Sequence, residues 1–194
     1  MGELFLILVS TGLVNNLVLE YMLGADPAIA TSKKTEAAGR LCVLMLIIMP
    51  PVALLAHLLN FHVLVPLDLI YLQLISLVLL TTAIILIVVS LAKRFKPRLH
   101  AIIDLFVPLV LVNCTVLGIA LLNTRYDYGL TGSLFSGLGY AAGYSLTLLA
   151  IAAIHERISV ADVPSAFKGT AILLITIGLI SMAFMGFNGI SSLK

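Results

Sequence analysis

Few side chains of this sequence could do chemistry, and most of them lie within or beside long apolar runs. They are two cysteines, a few acids and amides, and one histidine: Cys42, Cys114, Glu20, Asp26, Asp104, Asn15, Asn16, Asn113 and His57. Carboxylates in an apolar setting are costly and often carry protons or Na⁺. A cysteine there is first of all a small packing residue. No phosphate loop, zinc-ligand spacing, catalytic triad or nucleotide fingerprint occurs, so the sequence does not indicate a soluble-type enzyme site.

Composition indicates the setting in which these groups must work. The chain has 194 residues, of which 61% are hydrophobic and 10% charged, and its mean hydropathy is +1.19. Soluble domains are about 25% charged. The apolar runs continue for about 20 residues without alternation, which is typical of spanning helices rather than barrel strands. We therefore predict an all-α integral membrane protein that forms a single membrane domain, residues 1–194.

Six apolar segments divide the chain, at about 3–23, 37–59, 68–91, 101–123, 131–154 and 170–188. Nine of the eleven basic residues lie in the odd-numbered loops: Lys33, Lys34, Arg40, Lys93, Arg94, Lys96, Arg98, Arg157 and Lys168. The positive-inside rule puts those loops in the cytoplasm. We expect a multi-pass protein of the cytoplasmic (inner) membrane with both termini outside. The net charge of +2 is too small to suggest a nucleic-acid partner.

Six spans also divide into three plus three, with halves at about 1–97 and 98–194. An odd number of spans in each half requires an inverted repeat, which is common in transport machinery. "VNNLVL" at 14–19 resembles "VNCTVL" at 112–117, whereas a second register aligns "DPAIA" at 26–30 with "CTVLG" at 114–118. The second register pairs Asp26 with Cys114, and the sequence does not choose between the two. The amides Asn15, Asn16 and Asn113 could be simple hydrogen-bond donors between helices. Amides that recur in both halves are also what a helix break at mid-depth needs, because freed backbone groups must find new partners.

The other polar residues have simpler interpretations. Asp104 is expected to be an interfacial residue paired with Arg98, and His57 to lie at the interface near the outer end of span two. Glu20 has no obvious local partner, and its side chain could reach the headgroups.

Glycines are frequent in the last two spans. Gly139 and Gly143, in "GLGYAAGYS", have the GxxxG spacing that allows close helix approach. We expect them to pack tightly within the protein or against a partner.

Several stretches together resemble the family of the RnfA and NqrE membrane proteins, and the likeness runs from end to end. They are "VSTGLVNNLVLEYMLG", "ATSKK", "LFVPLVLVNCTVLGIALLN" and "ERISVADVPSAFKGTAILLITIGLISMAFMGFNG". The segments "VLGIALLN" and "VADVP-FKG" are closer to the RnfA branch, which belongs to the Rnf complex, than to the NqrE branch, which belongs to the Nqr complex.

The resemblance implies a membrane subunit of an ion-translocating ferredoxin:NAD oxidoreductase, which is not catalytic alone. It implies broken helices in spans one and four. A homologous six-span protein of opposite orientation, similar to RnfE, would share one [2Fe–2S] cluster with this chain, and further Rnf subunits and membrane lipid would surround the pair. Electron flow would drive Na⁺ or H⁺ transport. No flavin is expected in this chain.

Cys114 matches one cluster ligand of the family, but the second does not. The family motif Leu-Gly-x-Cys-Pro reads here Leu23-Gly24-Ala25-Asp26-Pro27. Cys42 lies in another span and does not match it. Three hypotheses follow for Asp26. It is an oxygen ligand of iron, a polar cap at a helix break with the cluster bound differently or lost, or part of an ion path.

Alternative functions remain open from the sequence. Within the same class, the complex could be of the Nqr type, with a quinone in place of ferredoxin, or a related reducing system. From another class, a stand-alone secondary ion transporter would use Glu20 and Asp26 as ion ligands. A purely structural membrane scaffold is the third.

Overall fold

The architecture is that of a computed structural model, which describes residues 2–31, 35–95, 108, 110–111, 113–126, 128–162, 164, 167 and 169–186. Every regular element within these ranges is helical. The helices run in chain order as α1 (Gly2–Val9), α2 (Leu17–Tyr21), α3 (Ala25–Thr31), α4 (Thr35–Leu59), α5 (Gln73–Phe95), α6 (Cys114–Tyr126), α7 (Gly129–Val160) and α8 (Thr170–Met185). Two π-helical turns, Ser10–Val14 and Asn60–Leu64, extend α1 and α4, and a 3₁₀ turn at Ile70–Leu72 precedes α5.

Within the described ranges, three helical segments are long and apolar enough to cross a membrane. They are Thr35–Leu64, Ile70–Leu91 and Gly129–Val160, which coincide with predicted spans two, three and five. Two shorter apolar helices, Leu6–Tyr21 and Thr170–Met185, lie in spans one and six. Residues 101–107 of predicted span four lie outside the described residues. The all-helical fold suited to a membrane is confirmed, whereas the six spans and the inverted repeat stay predictions.

Helices α4 and α7 form the antiparallel centre of the molecule. The Thr35 hydroxyl donates to the Glu156 carboxylate at one end, and the Cys42 thiol contacts the Ser145 carbonyl at 3.5 Å further along. The helices approach closely because Gly137 has no side chain: a Cβ there would lie 2.8 Å from the Ala53 Cβ. Between them lies a fully buried apolar core that includes Leu41, Met45, Ile48, Met49, Val52, Ala53, Ala56, Ala141, Leu148 and Ile151.

Helix α6 is attached to this centre by one buried amide. Asn123 donates to the Ala53 carbonyl at 2.7 Å and accepts from the Ser136 hydroxyl at 2.9 Å, so a single side chain links α6 to both central helices. Inside apolar packing such bonds are strong, because an unpaired amide there would be costly.

Helix α1 runs parallel to the first half of α7, and small residues make this contact possible. A Cβ on Gly139 would lie 2.8 Å from the Leu8 carbonyl oxygen, and one on Gly143 would lie 2.9 Å from the Gly12 Cα. The expectation that Gly139 and Gly143 pack tightly within the protein is confirmed.

The first apolar run is interrupted where its two amides occur. After the π turn, Asn15 leaves helical geometry at φ −90° and ψ 51°. Asn16 is 1% exposed; its side-chain oxygen accepts from the Val18 N–H at 3.1 Å and so caps α2. Its NH₂ group donates to the Gly143 carbonyl at 3.0 Å and to the Thr147 hydroxyl at 2.8 Å. Asn16 thus joins the break to α7, as the amide pattern predicts.

Helix α2 ends at Tyr21, close to residue 23, where span one was predicted to end. The chain turns at Met22, with φ 56°, and at Gly24, with φ 80°, and then continues as α3 to Thr31. Pro27 occupies the first turn of α3, where a backbone N–H has no helical partner to lose.

Gly143→Ala is expected to destabilise the protein, because the new methyl group would enter the backbone of Gly12. Overpacking of this kind costs about 1–3 kcal/mol. Gly178→Ala is the matched control, since no described heavy atom lies within 4 Å of a Cβ at that helical position. Thermal unfolding of the purified protein in detergent measures both. Equal losses in the two variants would contradict the tight α1–α7 contact.

Candidate functional site

Cys114 begins α6 immediately after a second helix interruption. Val110 and Leu111 are helical, whereas Asn113 is not. The Asn113 side-chain oxygen accepts from the Thr115 N–H at 2.9 Å. This is the same capping bond, two residues forward, that Asn16 makes in the first break. One amide therefore fixes where α6 starts and, with it, the position of Cys114.

The equivalent caps bear on the two proposed registers. By their capping bonds, Asn16 corresponds to Asn113. The alignment of 14–19 with 112–117 is shifted by one position, because it places Asn15 opposite Asn113. The second register pairs Asp26 with Cys114, and both residues lie within the first two positions of a helix. Both registers stay predictions.

The turn after α2 packs directly on the start of α6. A Cβ on Gly24 would overlap the Thr115 Oγ1, and it would lie 2.8 Å from the Tyr144 Cε2 and 3.3 Å from the Asn113 Oδ1. We call these four residues, Gly24, Asn113, Thr115 and Tyr144, the Gly24 joint. Glycine is required here twice, for its positive φ and for the absent side chain. The joint brings together the two segments that carry Asp26 and Cys114.

The two cysteines have different environments. The Cys114 side chain is exposed, although its neighbours Asn113 and Thr115 are 5% and 0% exposed. Cys42 is buried, and its thiol contacts a backbone carbonyl of α7. Cys42 is thus a packing residue, whereas Cys114 lies at the protein surface between two buried neighbours.

Asp26 is the second residue of α3, two positions after Gly24. Its side chain lies outside the described part of the structure. Its backbone placement brings it close to the joint in sequence and in space, because Gly24 itself touches α6 and α7.

An iron–sulfur cluster is held by four protein ligands. Among the described residues, no group of three or more His, Cys, Asp or Glu side chains could hold a metal ion. A single exposed thiol beside a second donor-bearing turn fits half of such a site, which a partner would complete. Cys114 and Asp26 stay the predicted ligands of this chain.

Three buried hydroxyls near this region were not found from the sequence. The Thr115 Oγ1 and the hydroxyls of Tyr140 and Tyr144 have no hydrogen-bond partner in the described structure. Both tyrosines are 1% exposed. Their spacing of four residues among small residues in "GLGYAAGYS" was the available signal, since it puts both on one face of α7.

The remaining polar residues are distributed elsewhere. Glu20 is exposed at the end of α2. His57 was expected at the interface, but it is 8% exposed and stacks on Phe61 with ring centroids 5.8 Å apart. Asp104 and Arg98 lie outside the described residues.

Comparison with known proteins covers almost the whole chain. The family model "Rnf-Nqr subunit, membrane protein" matches residues 4–191. The chain is 42% identical over 190 residues to the RnfA protein of the ion-translocating oxidoreductase complex of Serratia proteamaculans. It is 44% identical over 191 residues to the proteins of the same name from Pseudomonas aeruginosa and Azotobacter vinelandii. Each comparison covers 98% of both chains.

Gly24→Ala is expected to lower stability more than Gly129→Ala. Both glycines have positive φ, +80° and +71°, so both substitutions carry the backbone strain, about 1–2 kcal/mol. Only at Gly24 would the methyl group also meet Thr115 and Tyr144, whereas no described atom lies within 4 Å at Gly129. Chemical denaturation of the two purified variants measures the difference. Identical midpoints would mean that the turn does not pack on α6 as described.

Proposed function

Because the chain belongs to the Rnf-Nqr family of membrane subunits, we propose that it is the RnfA-type component of an Rnf-type ferredoxin:NAD oxidoreductase that moves ions. It carries electrons within the membrane and is not catalytic alone. One observation carries the redox role: the exposed thiol of Cys114 at a helix break, beside the turn that leads to Asp26.

In this proposal Cys114 and Asp26 hold one side of a [2Fe–2S] cluster, which would supply one-electron transfer when bound. A homologous six-span protein of opposite orientation, similar to RnfE, provides the other side. The exposure of Cys114 supports a shared site, because a thiol meant for an internal cofactor would be enclosed by its own chain.

The residues around Cys114 have supporting roles. The Asn113 cap fixes the first turn of α6, so the thiol is presented from a defined backbone position. The contact of Gly24 with Thr115 and Tyr144 sets the separation between the two donor-bearing segments. Held in this way, the two donors would need little rearrangement when the cluster is oxidised or reduced.

The same proposal includes a location in the inner membrane and coupling of electron transfer to Na⁺ or H⁺ transport. The orientation of the protein in that membrane is part of it. The start of α4 and the end of α7 lie together, joined by the bond between Thr35 and Glu156. Exposed arginines, Arg40 and Arg157, lie near these two ends. Basic residues of loops one and five therefore occupy one side of the protein, which supports a cytoplasmic location for that side and an outward location for both termini.

Cys114→Ala in the intact complex is expected to abolish the [2Fe–2S] EPR signal of the shared site and to stop ferredoxin-to-NAD electron transfer. Cys42→Ala is the matched control, since Cys42 is buried and serves packing; it should retain both. EPR spectroscopy with iron and sulfide analysis of the purified complex measures the outcome. A full signal in Cys114→Ala would refute the proposed ligand.

Asp26→Cys and Asp26→Ala separate the three hypotheses for the acid. If Asp26 ligates iron, the alanine variant loses or strongly alters the cluster signal, and the cysteine variant keeps a cluster with a changed potential, because ligand type sets the potential. An unchanged signal in Asp26→Ala excludes a ligand. In that case loss of ion transport alone would indicate an ion path, and full activity would indicate a helix cap.

A further inference from the structure

The buried hydroxyls of Thr115 and Tyr144 flank the donor-bearing segments of the proposed redox site. Thr115 follows Cys114 directly, so their Cα atoms are about 3.8 Å apart. The Thr115 Oγ1 and the Tyr144 ring both lie against Gly24, two residues before Asp26. Thr115 and Tyr144 are thus buried residues of the Gly24 joint, which packs the turn before Asp26 on the segment that carries Cys114.

Neither hydroxyl makes a hydrogen bond of normal geometry within the described structure. The side chain of Asn113 is a polar neighbour of Tyr144, but no bond of normal geometry joins them, and the Thr115 Oγ1 has no partner among the described residues. A polar group that is buried in apolar packing without a hydrogen-bond partner destabilises the fold. Two such groups beside one site are therefore an arrangement that calls for a compensating role.

An uncommitted hydroxyl is a dipole that can rotate about its C–O bond. When a neighbouring centre gains an electron, the hydrogen end can turn toward the added negative charge. In a low-dielectric interior this response is stronger than in water. Dipoles and hydrogen bonds around an iron–sulfur centre change its reduction potential.

We propose that Thr115 and Tyr144 are positioning residues of the redox site, a pair of rotatable hydroxyl dipoles that stabilise its reduced state. The pair raises the reduction potential of the centre held at Cys114. This inference rests on the proposed function, because it needs a redox centre at that cysteine. It adds to that function, because it assigns the adjustment of the reduction potential to two residues that are not ligands of the centre.

The test is an EPR-monitored redox titration of the intact purified complex carrying Thr115→Val or Tyr144→Phe. Both substitutions remove a hydroxyl and keep the shape of the side chain. We expect a full-strength signal with a more negative midpoint potential in each variant. Thr115→Ser, which keeps the hydroxyl, should titrate like the wild type.

Tyr140→Phe is the matched control. Tyr140 is as buried as Tyr144 and its hydroxyl also lacks a partner in the described structure. It lies one helical turn away, however, within electrostatic reach of Tyr128, Tyr126, Tyr21 and Glu20. We expect a clearly smaller shift.

Wild-type midpoints in Thr115→Val and Tyr144→Phe, or an equal shift in Tyr140→Phe, would overturn the proposal. If Tyr144→Phe fails to assemble, the comparison of Thr115→Val with Thr115→Ser tests the proposal. A midpoint potential equal to that of the wild type in both variants would refute the effect of the hydroxyl dipole. An intact EPR signal in Cys114→Ala would instead show that Cys114 holds no redox centre. The proposed function would then fail, and the effect of the two hydroxyls on the potential would fail with it. The two failures are therefore distinguishable.

Discussion

The two capped helix breaks, at Asn16 and at Asn113, are the constraint on which the rest of the structure depends. Backbone groups released inside a bilayer find no water, and each unpaired group costs several kcal/mol. The side chain of Asn16 meets this need by capping α2 and bonding to α7. The side chain of Asn113 caps α6. Because the breaks are satisfied locally, the chain can turn at Met22 and Gly24 and bring a loop segment against α6.

Close approach is the second requirement, and glycine provides it at each contact that forms the site. Gly12 and Gly143 let α1 lie on α7, and Gly24 lets the turn lie on Thr115 and Tyr144. The consequence is a thiol that is exposed while its neighbours are fixed in the interior. A redox ligand shared between two proteins needs this combination of access from outside and rigidity from within.

The sequence predicted what depends on composition and local pattern. Long apolar runs predicted the helices, recurring amides predicted the breaks, and the GxxxG spacing predicted the packing of Gly139 and Gly143. It did not predict the short helix α3 after the turn at Met22 and Gly24, or the packing of Gly24 on α6, which joins distant segments. Asp26 as a replacement for cysteine was recognisable only through family resemblance.

We propose Cys114 as one ligand of a redox centre shared across an interface between two membrane proteins. A cryo-EM map of the intact complex, recorded with its metal sites loaded, would show this centre. We expect metal density bonded to the Cys114 sulfur, between this chain and a second six-span protein, with Asp26 facing the same density. A Cys114 that faces lipid, or a partner surface with no metal beside it, would refute the shared site.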